Sequence, residues 1–153
     1  EKGFEIGTSL YGGQNPEIKS FLKSKNLILP TDVVVKRKNK DINVKIGEVL
    51  ADDCILDIGK ETTENLKDLV LKSKFILWNG PLGKYENGFG GSTEEVLKTV
   101  AKSKALSMIG GGDTTAIISK LKIENKIGFV STGGGATLDF LAKGTLPGIR
   151  VLK

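Results

Sequence analysis

From residue 54 onward, short apolar runs alternate with stretches of helical periodicity, and this alternation narrows the fold more than any other feature. Residues 54–58, 75–78, 105–109 and 127–131 read as short strands. Between them, residues 62–73 carry Leu66, Leu69 and Val70 at helical spacing. Ser92-Thr-Glu-Glu95 has the form of a capping box, followed by the apolar stripe Val96, Leu97, Val100 and Ala101. Residues 113–121 place Ala116, Ile117 and Leu121 on one face, with Asp113 in position to cap the helix. A shorter helix carries Leu138 and Leu141 before Gly144, and residues 149–152 read as a last strand. Such alternation predicts right-handed βαβ crossovers. The expected fold is α/β: a Rossmann-like three-layer domain with a mostly parallel sheet and helices on both faces.

The first fifty residues are less regular. Asn15-Pro16 can open a helix with Ile18, Phe21 and Leu22 on one side, residues 33–37 form a strand, and residues 43–49 belong to a hairpin. No repeat, linker or second domain interrupts residues 1–153, which are expected to form one domain. The basic run Lys36-Arg37-Lys38-Asn39-Lys40 has no aromatic residue through it and ends a valine run, so it reads as a strand end and polar turn, not a nucleic-acid arm.

Each of three successive strand ends is rich in glycine: Asn79-Gly-Pro-Leu-Gly83, Gly110-Gly-Gly-Asp-Thr114 and Ser131-Thr-Gly-Gly-Gly135. Glycine totals 20 of 153 residues, roughly twice the usual ~7% share. Bare backbone N–H groups followed by a helix N-terminus suit an anion, and in parallel sheets ligands bind beyond the carboxyl ends of the strands. One triple glycine is ordinarily a tight turn; two after neighbouring strands favour phosphate. Neither the P-loop pattern nor GxGxxG occurs, since Tyr85 follows Gly83-Lys84, and Thr115 and Leu138 occupy the third glycine position. There is no histidine and only one cysteine. This excludes imidazole-based triads, His-ligated zinc, an internal disulfide and a CxxC redox pair. Asp113 reads as a helix cap or as ligand to a cation bridging to phosphate, and the two roles are compatible, since Mg²⁺ needs only one or two carboxylates beside phosphate oxygens. Glu86 is either a solvated loop acid or an acceptor for a sugar hydroxyl.

These loops carry a resemblance. Trp78-Asn-Gly-Pro-Leu-Gly83 with Glu86, then Gly110-Gly-Gly-Asp-Thr114, then Ser131-Thr-Gly-Gly-Gly-Ala136, ending in Leu146-Pro147-Gly148, resemble in order and spacing the carboxyl-terminal domain of phosphoglycerate kinases. Gly3-Phe-Glu-Ile-Gly7-Thr-Ser9 and Leu56-Asp57-Ile-Gly59 extend the likeness upstream. The resemblance implies reversible phosphoryl transfer between 1,3-bisphosphoglycerate and ADP, with Mg²⁺ as cofactor. It implies that Asp113 ligates the metal and that Gly111, Gly112 and Thr114 contact the nucleotide phosphates. Glu86 would then bind the ribose, Asn79 would lie near the phosphates, Pro81 by the ribose, and Leu56 against adenine. Gly110, Gly112, Gly133 and Gly134 would form the backbone of the transfer site.

The chain starts Glu1-Lys2-Gly3 and has its only methionine at 108. It is expected to be an amino-terminally truncated piece of a cytoplasmic, monomeric enzyme, without the family's phosphoglycerate-binding domain and GGAK segment. Its partners would be ADP or ATP and that missing domain, with neither nucleic acid nor membrane, and the piece alone would not turn over. Other readings are a stand-alone nucleotide- or phosphate-binding module and a bare folding unit.

Overall fold

The computed structural model describes residues 3–10, 12 and 16–152, which divide into two compact units, residues 1–65 and 66–153. In the first unit, α1 (Pro16–Phe21) precedes β1 (Asp32–Arg37), β2 (Lys40–Lys45) and β3 (Cys54–Ile58). The expected start of α1 at Asn15 lies outside the described residues. Three successive valines favour the strand β1, which pairs antiparallel with both β2 and β3. The basic run is indeed a turn: Lys38 and Asn39, at φ 48° and 61°, join Arg37 to its partner Lys40. Positive φ at both central residues matches the twist of a two-residue hairpin. Against β3 the register shifts between Val34 and Val35, leaving Leu56 as the extra residue on its strand. Val33, Val35, Val44 and Val49 form a small core with Ile42 and Ile55.

Helix α2 (Lys60–Lys72) opens in this unit. Its first turn is capped from another element: the Asp32 carboxylate on β1 accepts from the backbone N–H groups of Glu61 and Thr62. Gly59 is required beneath that carboxylate, because a Cβ there would stand 2.1 Å from Asp32 Cγ. Arg37 grips the fully buried Asp53 with two hydrogen bonds of 2.8 and 2.6 Å. Arg37 also donates to the Glu48 carbonyl at 2.9 Å.

The second unit is the expected parallel arrangement. β4 (Phe75–Asn79), β5 (Leu106–Gly110) and β6 (Phe129–Ser131) run parallel in that order, joined through α3 (Gly91–Val100) and α4 (Gly112–Leu121). α5 (Gly135–Lys143) and α6 (Pro147–Val151) follow. Ile76, Trp78, Ile109 and Val130 pack with Val70, Val96, Leu97, Val100, Ile117 and Ile118 in one core. Lys120 and Lys98 both reach Glu94, at 2.8 and 3.7 Å, joining α4 to α3.

The structure departs from the pattern expected of the sequence in four places. β3 pairs antiparallel with β1 instead of joining β4; periodicity identifies a strand but not its partner. Residues 149–152 are not a strand: Pro147 begins a helix through Val151, and a short apolar run is ambiguous by pattern alone. Neither expected helix cap is one. α3 begins at Gly91 with Gly90 as cap, and α4 begins at Gly112 with Gly111 as cap, each without a side-chain cap bond. Glycines ahead of the acid or hydroxyl let the helix start earlier than capping chemistry suggests. Within α4, Ala116 is exposed and Ile118 takes the inward place.

Candidate functional site at the strand ends

The ends of the parallel strands form one row, because Asn79 stands beside Gly110 and Gly110 beside Ser131 in the sheet register. Each glycine-rich loop leaves from that row, so the three segments singled out in sequence share one edge of the second unit.

The first two loops touch closely. Gly80, at φ +88°, donates its N–H to the Gly110 carbonyl at 3.3 Å. Gly111, at φ +98°, passes so near that a Cβ on it would stand 2.9 Å from Gly80 N. Both the conformation and the approach require glycine. Asn79 is exposed, and its Oδ1 lies 3.0 Å from where a Cβ of Gly110 would be. Pro81 is half-buried in the same loop.

At the start of α4, Asp113 is freed from capping and lies exposed in the first turn. Gly112 has open space where its side chain would be. Thr114 is wholly buried, and its Oγ1 lacks a hydrogen-bond partner, a state found at no other buried side-chain N or O among the described residues. That hydroxyl lies 3.5 Å from the position of a Cβ on Gly111. A buried hydroxyl left unpaired costs about 1–3 kcal/mol and calls for a partner.

The third loop repeats the construction. Gly134, at φ 48°, is the cap of α5 and has no side-chain cap bond. Ser131 and Thr137 share a hydroxyl–hydroxyl hydrogen bond of 2.5 Å, and Gly133 N donates to Ser131 Oγ at 3.2 Å. Ser131 heads the motif seen in sequence, but Thr137 does not stand out there, since their pairing spans the loop. Two helices of ten and nine residues therefore begin, without side-chain caps, at the carboxyl ends of adjacent parallel strands. Their N-terminal dipoles favour negative charge in this row.

The remaining candidates are spread more widely. Glu86 is exposed on a single helical turn, Tyr85–Asn87, which Gly88 closes at φ 86°. Leu56 belongs to the first unit, where it is buried in β3. No group of three or more His, Cys, Asp or Glu forms a metal cage among the described residues. One exposed carboxylate beside bare backbone fits Mg²⁺ only when phosphate oxygens complete its shell. Among the described residues no helix is long and apolar enough to cross a membrane.

A sequence profile described as phosphoglycerate kinase matches residues 1–144. The fold is similar to that of phosphoglycerate kinase from Coxiella burnetii, with TM-score 0.81 and 35% identity over 98% of this chain and 41% of that one. It is also similar to phosphoglycerate kinase from Pyrococcus horikoshii OT3, with TM-score 0.69 and 38% identity over 80% of this chain and 31% of that one. The chain thus spans less than half the length of either structure it resembles.

Proposed function

The chain belongs to the phosphoglycerate kinase family, and from that premise we propose that it is the ADP/ATP-binding part of an enzyme transferring a phosphoryl group between 1,3-bisphosphoglycerate and ADP. The observation that carries this reading is the row of strand ends. Two uncapped helix N-termini and three glycine-rich loops meet there, with one exposed carboxylate and one orphaned hydroxyl.

Phosphoryl transfer demands positioning and charge stabilisation more than a covalent nucleophile. A site built from amides, one acid and hydroxyls, with no histidine, is chemically sufficient for half of that task. The backbone of Gly110, Gly111 and Gly112 at α4 would hold nucleotide phosphates, and the Thr114 hydroxyl would gain its missing acceptor. Asp113 would hold Mg²⁺, which supplies charge neutralisation between phosphate oxygens. Gly133 and Gly134 would present the α5 N-terminus to the group in transfer. Glu86 would accept from ribose hydroxyls, and Asn79 and Pro81 would border the nucleotide. Leu56 is assigned to adenine only by family likeness. The phosphoglycerate-binding half would come from polypeptide outside this chain, so the chain alone is expected to bind without turnover.

A magnesium-dependent ADP titration followed by NMR tests this reading. Amide shifts are expected at residues 110–114 and near Glu86. Asp113→Asn should weaken magnesium-dependent binding about tenfold, or ~1.4 kcal/mol, with little change in stability, because Asp113 caps nothing. Thr114→Val should keep or slightly raise the stability of the ligand-free chain while weakening binding. Absence of shifts at millimolar ADP would leave only a folding unit and overturn the reading.

A further inference from the structure

The segment between Asn79 and Gly83 has no strand partner beyond Asn79 and no helix of its own, yet it sits against Gly111 with little room for error. Two side chains outside the loop hold it. Trp78, packed against the core of the second unit, donates its indole N–H to the Gly80 carbonyl at 2.6 Å. Thr93, wholly buried in the first turn of α3, accepts the Leu82 N–H through its hydroxyl at 2.9 Å. Between the two anchored residues lies Pro81, whose ring restricts φ. Gly80, Pro81 and Leu82 are therefore fixed in succession. The third bond of the loop, from Gly80 N to Gly110 O, then passes that placement to the loop that starts α4.

Thr99, lower in α3, donates to the carbonyl four residues back, Glu95 O, at 3.0 Å, as helical threonines commonly do. Thr93 instead presents its oxygen to a neighbouring loop. If that oxygen were removed, the Leu82 N–H would lose its acceptor, and the restraint on the proline side of the loop would go with it.

We infer that Thr93 and Trp78 are positioning residues for the nucleotide loops: their two hydrogen bonds set the spacing between residues 80–82 and Gly110–Gly111. This inference rests on the nucleotide-binding reading above, and the test separates the two. Thr93→Val removes the hydroxyl and keeps the shape; Thr93→Ser keeps the hydroxyl and removes the methyl; Trp78→Phe removes the N–H and keeps an aromatic ring. Each variant of the 153-residue chain is titrated with ADP and Mg²⁺ while its amide spectrum and thermal midpoint are recorded. Trp78 is the only tryptophan, so its indole proton reports the first anchor directly.

Thr93→Val is expected to raise the dissociation constant about tenfold and to move the amide signals of Gly80, Leu82 and Gly111. Thr93→Ser should restore both to within about twofold. Trp78→Phe, independent of any folding defect at Thr93, should weaken ADP in the same way. The inference is overturned if both hydroxyl-free and indole-free variants bind as the unaltered chain does. It also falls if Thr93→Ser is as weak as Thr93→Val, which would make the methyl group's packing the cause. Failure of the unaltered chain to bind ADP would instead overturn the nucleotide reading itself, and this role with it.

Discussion

The carboxylate of Asp32 accepts hydrogen bonds from Asn43 Nδ2, Glu61 N, Thr62 N and Thr62 Oγ1. Burial opposes its ionisation, but the bonds from the Thr62 hydroxyl, the Asn43 amide and the backbone outweigh this and lower its pKa from 3.8 to about 2. Asp53 is lowered from 3.8 to about 2 as well, first by its hydrogen bonds from Arg37. A carboxyl whose pKa is depressed in the folded state stabilises at every pH above its unfolded value and loses that contribution as pH falls through the folded one. Denaturant unfolding followed by circular dichroism should therefore show stability flat from pH 7 to 5, then declining between 3.8 and about 2. Asp32→Asn should lower stability at neutral pH by about 1–3 kcal/mol, since Asn keeps one acceptor oxygen, turns an amide donor toward the donors at the other and loses the charge. The remaining acid-induced decline should then be shallower and come from Asp53 and from Glu94, which the hydrogen bond from Lys120 also holds below its usual value. A variant declining as steeply as the unaltered chain would show that Asp32 is not its source. Asp57 Oδ1 accepts from its neighbour Ile58 N, a purely local bond. Capping by Asp32 joins residues about thirty positions apart, a distance at which no local pattern operates.

At the scale of the element, the start of α4 shows why two adjacent glycines are not equivalent. Gly111 combines φ +98° with an approach that leaves a Cβ only 2.9 Å from Gly80 N, whereas Gly112 has nothing within 4 Å. Gly111→Ala should destabilise by about 1–3 kcal/mol and move the Gly80 amide signal. Gly112→Ala should leave the thermal midpoint unchanged or slightly raised, because alanine favours a helix by up to ~1 kcal/mol over glycine. If phosphate approaches that backbone, Gly112→Ala nonetheless weakens ADP; equal affinity would remove Gly112 from the proposed site. The glycine clusters were legible in sequence as loops between strand and helix. Which glycine takes the left-handed conformation was not, because that depends on the neighbouring loop pressing against it.

For the second unit taken whole, the parallel sheet has two unlike faces. Ile76, Trp78, Ile109 and Val130 enter the core, while Phe75, Leu77, Leu106 and Phe129 are 56, 47, 64 and 54% exposed on the other face. An exposed apolar patch of this kind promotes association. Sedimentation velocity should show the isolated chain self-associating as its concentration rises, and Leu77→Lys with Phe129→Lys should reduce this without unfolding the core. A chain that stays monomeric at high concentration would show that the face is too small to drive association. The same sheet marks the division between what was readable and what was not. Sequence alone determined the strands β4 to β6, the buried stripe of α3, the turn in the basic run and the three glycine-rich ends, because each is set by the period or composition of a few neighbouring residues. Tertiary structure decided that β3 pairs with β1, that residues 147–151 wind into a helix, that Asp113 caps nothing, and that Thr93 and Trp78 hold a loop. Those outcomes rest on hydrogen bonds and close approaches between distant segments, whose free energy exists only once the chain has brought them together.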